Sequence, residues 1–308
     1  MALTCTIPGK TFLVGEYLAL HGGPTLSVLS KPCFEMTSKP GNGSYSGDAG
    51  GQARWGGIHP DSPAGKFISA HSDYFKNIDL SFSDPYKGMG GFGASTAQFL
   101  GAYALWMYRE AHSIGMEAQF DFRHLLAEYQ QYAWNGEGTP PSGADLIAQF
   151  KGSMTFFEKR KGIVSVTNWP FEELDFYLIH TGNKVATHEH LKTLKDFDSL
   201  GLEKAAYRVQ ESFASANPDE LIAGVQDYAK ALKDLNFTCE PTLKLLEGLR
   251  GLSFVKAAKG CGALGADVLF VVTAKNHSAE LEKYCQTVNV KLVASNKTIA
   301  TGLQVEAV

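Results

Sequence analysis

The sequence predicts an α+β fold in two domains, and three observations carry that reading. Runs such as "KTFLVGEYLAL" and "LSVLSKPCFEMTS" have the alternating or continuous apolar character of strands. Others, such as "FRHLLAEYQQYAW", repeat apolar residues at helical spacing. The two kinds mix without strict alternation, which favours α+β layers. The 308 residues suffice for two cores. A boundary falls near 165–175, giving domains of residues 1–168 and 169–308.

Taken in order, the first third is strand-rich and turn-rich. It is interrupted by the glycine-heavy patch "GNGSYSGDAGGQARWGG" between Gly41 and Gly57, read as a loop or hairpin tip. A glycine run then leads into an apolar helix through Leu100, Ala104 and Met107, with Ser95 and Thr96 as candidate caps. The next helix, over 122–134, stops at Asn135-Gly136, and the loop "GEGTPPSGAD" follows. The second half begins with the strand "FYLIHTG", and two helices come next. The second of these opens at "NPDE", with Asn217 as cap, Pro218 in the first turn and Glu220 closing a capping-box-like pair. "FVKAAKGCGALGADVLFVVT" reads as strand, glycine turn and buried strand, "SAELEKYCQTV" as helix and "VKLVAS" as strand.

Bulk properties exclude several classes of function. A net charge of −4 gives no general field for nucleic acid, so an anionic ligand needs local cations. No apolar run reaches the about 18 residues of a membrane span, and "MALTCTIPGK" lacks the layout of a signal peptide. Five scattered cysteines without C-x-x-C spacing suit reduced thiols in a cytoplasmic protein and disfavour a zinc site. His188 and His190, spaced i, i+2, would not share a helical face, and the nine histidines form no metal-ligand cluster.

The chemistry is concentrated in "KGMGGFGASTAQFLGAY", residues 87–103. Gly88, Gly90 and Gly93 match G-x-G-x-x-G, and Glu110 lies 17 residues further on. A dinucleotide fold would need a strand between them, whereas Glu110 ends the helix that Ser95 begins. What remains is a glycine loop feeding a helix N-terminus, a site that suits a phosphate. A glycine-rich turn alone is the other reading of this stretch. At the N-terminus "GKT" resembles the end of a P-loop, but Thr4 stands where that motif needs glycine, so Lys10 opens a strand.

Five segments, "PGKTFLVGEYLALHGGP", "GGFGASTA", "PPSGADLIAQFKGS", "HTGNKVAT" and "AKGCGALGAD", resemble the GHMP small-molecule kinases in order and spacing. This family includes galactokinase and the homoserine, mevalonate and phosphomevalonate kinases. The resemblance spans essentially the whole chain and is nearest to the phosphomevalonate kinases: "GEY" replaces the "GEH" of mevalonate kinases, "SGADLIA" is similar to S-G-x-D-V-A, and Asp267 ends the last glycine loop. "HGGP" is closer to mevalonate kinase.

The resemblance implies a ribosomal protein S5 domain 2-like N-terminal domain and a ferredoxin-like C-terminal domain. It implies ATP with Mg²⁺ as cofactors, a small anionic acceptor as partner, and a monomer or homodimer. Gly90, Gly91, Gly93, Ala94, Ser95 and Thr96 would hold ATP, with Ser95 also a ligand of Mg²⁺. Lys10 and Asp145 would be catalytic. Glu16, Tyr17, His21, Ser142, Gly143, Thr181, Lys184, Thr187, Lys259 and Gly262 would serve the acceptor site. Lys10, Lys87, Lys184 and Lys259 are the candidate cations for an anionic acceptor, each with a solvated surface lysine as its plain alternative.

Three departures bear on the nucleotide site. Ala94 replaces the first serine of the family's pair, and Leu264 and Ala266 replace glycines. A Cβ in a position needing φ > 0 would cost about 1–2 kcal/mol. No carboxylate clearly matches a second Mg²⁺ ligand, Glu128 and Glu137 both lying nearby at different offsets. Three functions follow from the resemblance: phosphorylation of 5-phosphomevalonate, phosphorylation of mevalonate or another acceptor, and a non-kinase binding protein or decarboxylase of the same fold.

Overall fold

The computed structural model describes residues 2–41, 57–113, 119–183, 194 and 196–307. Most of the glycine-heavy patch, together with Lys184, Thr187, His188 and His190, lies outside them. Strands β1 (Leu3–Val14) and β2 (Pro24–Pro40) pair antiparallel over nearly their whole length. Lys10 therefore sits well inside β1 rather than at its opening. Between the strands the chain turns at Gly15, with φ +104°, where an added Cβ would lie 2.5 Å from the Pro24 carbonyl. Only glycine fits that pass.

Helix α1 (Pro63–Ala70), the single turn α2 (Ser72–Phe75) and strand β3 (Ile78–Ser83) come next, and β3 pairs with β2. Helix α3 (Ala94–Ser113) buries Thr96, Ala97 and an unbroken run from Phe99 to Leu105. Its Gly101 packs so closely on β2 that a Cβ would lie 2.9 Å from Met36 Sδ. A helix covered nearly all round its first half is a core helix, which fits its weak amphipathic pattern. Helix α4 (Phe122–Ala133) has the expected bounds and starts on Asp121, whose carboxylate accepts from the Arg123 and His124 amides. Helix α5 (Ala144–Lys151) and strands β4 (Met154–Glu158) and β5 (Ile163–Thr167) complete this half, β4 lying beside β2 and β5 at the edge.

The second half supplies β6 (Leu174–His180), three helices α6 (Leu200–Ser215), α7 (Pro218–Asp234) and α8 (Glu240–Arg250), then β7 (Val255–Cys261), β8 (Val268–Ala274), α9 (Ser278–Thr287) and β9 (Lys291–Ser295). Its sheet is antiparallel in the order β7-β8-β6-β9. The last strand, β10 (Gln304–Ala307), crosses back to pair with β1, so the first sheet reads β10-β1-β2-β4-β5 with β3 also on β2. Among the described residues no helix is long and apolar enough to cross a membrane.

The start of α7 is as expected at Asn217, whose side chain accepts from the Asp219 and Glu220 amides, with Pro218 in the first turn. The capping box does not close. Glu220 instead takes Arg208 Nε of α6 at 2.6 Å, a charge-assisted contact stronger than a return to the cap amide.

A second lock, between the end of β4 and α6, joins the two halves. Glu158, 1% exposed at the end of β4, accepts from Arg160 at 2.7 Å and from Tyr207 of α6 at 2.9 Å. Arg160 also forks onto Glu203 of α6 at 3.1 and 3.0 Å. Burial pushes the Glu158 carboxyl up, but hydrogen bonds from Arg160, Tyr207 and Lys161 outweigh it and leave the pKa below its ordinary 4.5. A lowered carboxyl stabilises the fold above the unfolded-state value, and that contribution is lost as pH falls through the folded one. Glu158→Gln is therefore expected to cost about 2 kcal/mol at neutral pH. Its stability should also fall less steeply than the wild type's as pH drops below 4.5, as read by urea melts across pH 3–7.

Candidate functional site

The glycine loop is held from beneath by aromatic packing. Asp84 accepts from the Tyr86 and Gly88 amides, both at 2.8 Å, and so opens the turn. Tyr86 stacks on Phe92 at 4.1 Å between centroids, and its hydroxyl donates to Pro32 O at 2.6 Å. Phe92 is 1% exposed, and its carbonyl accepts from the Lys10 amide at 2.9 Å. The loop's one large side chain is thus its anchor to β1. Gly91 and Gly93 have φ of +87° and +79°. At Gly90 a Cβ would lie 2.5 Å from Asp267 Oδ1, so the loop around Asp267 presses directly on this one.

From Gly93 the chain enters α3. The first amide to bond back is that of Ala97, to Gly93 O at 2.9 Å, so the amides of Ala94, Ser95 and Thr96 precede the helical ladder. Neither Ser95 nor Thr96 caps the helix, because it already begins at Ala94 and both lie within its first turn. Ser95 is exposed. Thr96 is buried, and its hydroxyl meets Gln149 Oε1 at 2.6 Å.

Helix α5 starts after Gly143, which takes the left-handed conformation at φ +72°, and presents Asp145 in its first turn. Ser142 accepts there from the Ala144 amide at 3.3 Å. Asp145 Oδ1 lies 2.5 Å from Lys10 Nζ, the lysine 5% and the aspartate 34% exposed at the side chain. Lys10 Nζ also sits 3.8 Å from the centre of the Phe12 ring. One turn further along α5, Gln149 donates to Pro8 O at 3.0 Å and to Gly93 O at 3.1 Å. Strand β1, helix α5 and the glycine loop therefore converge on one cation and one carboxylate.

A second group of the expected residues meets between the two halves. Lys259 is fully buried, its ammonium 2.7 Å from Glu16 Oε1 and 5.3 Å from the Tyr228 ring centre. Burial pushes its pKa down, but Cys261 and Glu16 more than offset this. Tyr17 is 2% exposed; its hydroxyl accepts from the Leu264 amide at 3.0 Å and its ring stacks on Phe237 at 4.1 Å. The Gly15 amide donates to Tyr228 OH at 2.9 Å. Thr181 donates its hydroxyl to Ala266 O and its amide to Asp267 O. Gly262 has φ +82° and packs beside Asp267. His21 is exposed, 6.0 Å from the Phe197 ring. Lys87 is exposed on the loop.

Glu128 and Glu137 do not join Asp145. Glu128 bears on His71, which follows α1, and Glu137 is exposed, its carbonyl accepting from Trp134 Nε1. Among the described residues no cluster of three or more His, Cys, Asp or Glu side chains could hold a metal alone. A magnesium carried by a nucleotide needs only one or two protein oxygens, and the exposed Ser95 hydroxyl fits that requirement. Gln149 is the site residue that the sequence reading missed. Its signal was the i, i+4 spacing from Asp145, usable only once residues 144–151 are known to be helical.

No family model and no curated protein matches the sequence. Solved structures do match over nearly the full chain. Mevalonate kinase of Methanococcus jannaschii superposes with a TM-score of 0.73 at 13% identity, covering 98% of each chain. The phosphomevalonate kinase of Streptococcus pneumoniae, in complex with phosphomevalonate and AMPPNP, gives 0.72 at 17%, covering 96% of this chain and 99% of that one. Galactokinase of Lactococcus lactis, complexed with galactose, gives 0.71 at 13%, covering 98% and 95%. The two-domain α+β fold is that of the GHMP kinases.

Of the two departures in the last glycine loop, Ala266 has an ordinary φ of −83° and Leu264 does not, at φ +52°, ψ +21°. Leu264 is held there by its amide on Tyr17 and its carbonyl on the Cys239 amide, 2.9 Å away. Leu264→Ala loses side-chain packing and keeps the strained Cβ, whereas Leu264→Gly relieves about 1 kcal/mol of strain. The glycine variant is therefore expected to melt above the alanine variant, the reverse of the usual order, by differential scanning calorimetry.

Proposed function

We propose that this protein is an ATP-dependent small-molecule kinase that phosphorylates 5-phosphomevalonate. The observation that carries the proposal is the Lys10–Asp145 ion pair, fixed through β1 and α5 to the glycine loop that opens α3. Phosphoryl transfer asks a protein for position and charge compensation more than for covalent chemistry. The amides of Ala94, Ser95 and Thr96 and the positive end of a 20-residue helix suit the ATP phosphates. Magnesium, held on the protein side by Ser95, would neutralise phosphate charge. Lys10 offsets the charge gathering between donor and acceptor. Asp145 orients Lys10 and accepts a hydrogen bond, or a proton, from the attacking group.

The phosphomevalonate assignment draws on the "SGADLIA" segment, on Asp267 and on the likeness to the pneumococcal enzyme. One observation favours mevalonate instead. The ammonium groups of Lys10 and Lys259 are both already paired, with Asp145 and Glu16, which weakens the positive field available to a phosphate-bearing acceptor.

The two acceptors make different demands. An alcohol must lose a proton as it attacks, so Asp145 as base would be worth roughly 10²–10⁴-fold. A phosphate monoester, with a second pKa of about 6, is largely ionised at neutral pH. With phosphomevalonate, Lys10→Met is expected to lower turnover at least as much as Asp145→Asn, and the rate to fall below about pH 6. Steady-state rates from pH 5 to 8 with each acceptor decide. A loss near 10⁴-fold in Asp145→Asn with Lys10→Met mild, and mevalonate the better acceptor, assigns the alcohol.

Nucleotide binding is tested separately. Millimolar Mg-ATP is expected to raise the melting temperature, less so in Ser95→Ala, while Thr96→Ser stays near wild type. An unmoved wild-type melting curve would show that the chain is not a kinase.

A further inference from the structure

We infer that Gln149 is the positioning residue that sets the glycine loop against the Lys10–Asp145 pair. The inference rests on the kinase reading. Gln149 is 0% exposed, and its amide reaches three separate segments. Nε2 donates to Pro8 O of β1 and to Gly93 O of the loop, 141 and 56 residues away in sequence, and Oε1 faces the Thr96 hydroxyl of α3.

The orientation is forced. Two carbonyls on one side of the amide require its NH₂ there, because the opposite flip would set oxygen against oxygen. Oε1 must then point at Thr96, whose hydroxyl lies 2.6 Å from it and 3.0 Å from Gly93 O, two acceptors for its single proton. The contacts of Gln149 with Pro8 and Thr96 are buried and the one with Gly93 is partly so, which limits exchange with solvent and favours one geometry.

The same contact explains a glycine. Gly93 has φ +79°, and a Cβ there would lie 3.1 Å from Gln149 Nε2 and 3.2 Å from Thr96 Oγ1. The side-chain-free position admits the amide that grips the loop from behind. Pro8 and Lys10 stand two residues apart along β1 and Asp145 and Gln149 one turn apart along α5, so helix and strand meet in two rungs. One rung carries the charges and the other carries the loop. A shift of the loop relative to α5 must break the second rung.

The test compares Gln149→Met, which keeps the length and removes every polar contact, with wild type in three readouts. Amide hydrogen exchange across residues 88–97 should quicken by about tenfold or more, with β6–β8 unchanged. The Kd for Mg-ATP should rise by about tenfold, and the KM for ATP should rise while that for the acceptor stays level. Thr96→Val should reproduce part of each effect and Thr96→Ser should restore it. Unchanged exchange in the loop, or equal rises in both KM values, overturns the assignment. Should Gln149→Met not fold, Thr96→Val against Thr96→Ser decides by the same readouts. If wild type takes up no Mg-ATP while loop exchange still responds to Gln149→Met, the kinase reading falls and the positioning role stands.

Discussion

The ion pair between Lys10 and Asp145 is the fixed point around which the site is assembled. A lysine deep in a strand is costly to bury unless its ammonium meets an opposite charge. Here the charge arrives on the first turn of α5, where the helix dipole also favours a carboxylate. The Phe12 ring beneath Nζ adds a cation–π contact and keeps water from one side of the pair. Because the Lys10 amide is bonded to Phe92 O, the residue that supplies the cation also holds the base of the glycine loop. Strand, helix and loop are consequently one mechanical unit.

One junction between the halves is built from three consecutive residues. Gly15 donates to Tyr228, Glu16 holds Lys259, and Tyr17 receives the Leu264 amide. Each partner comes from the second half of the chain, from α7, β7 and the last glycine loop. The "GEY" segment thus clasps the halves at the turn between β1 and β2. The left-handed backbone of Leu264 belongs to the same clasp, since both its amide and its carbonyl are committed.

Strong periodicity made part of this legible in the sequence. Helices α4 and α9 follow a 3.6-residue repeat, strands β6 to β9 are short apolar runs, β8 a continuous one, and glycines mark several of the turns beside them. Helix α5 was not legible, because eight residues after a proline-glycine loop give too short a window to separate helix from strand. Strand β4 and helix α8 were lost for the same reason, α8 behind a proline that serves as an early helical residue. The motifs pointed to Lys10 and Asp145, yet not to their contact, and "GKT" gave no sign that Lys10 lies mid-strand. Gln149 could not be found from its neighbours in sequence, since the groups that make it matter are brought in only by the tertiary fold.

The return of β10 to β1 has a consequence for the order of assembly. Leu3 pairs with Ala307, Ser30 bridges to Ile299 and Gly152 to Thr301, where a Cβ on Gly152 would lie 1.8 Å from the Gly302 amide. On a ribosome, the first half emerges with the outer edge of its sheet open. That edge stays open until β10 follows, after the whole second half has been made. The interval exposes an unpaired strand to other nascent chains. The half that carries the glycine loop is therefore made before its own sheet can be finished.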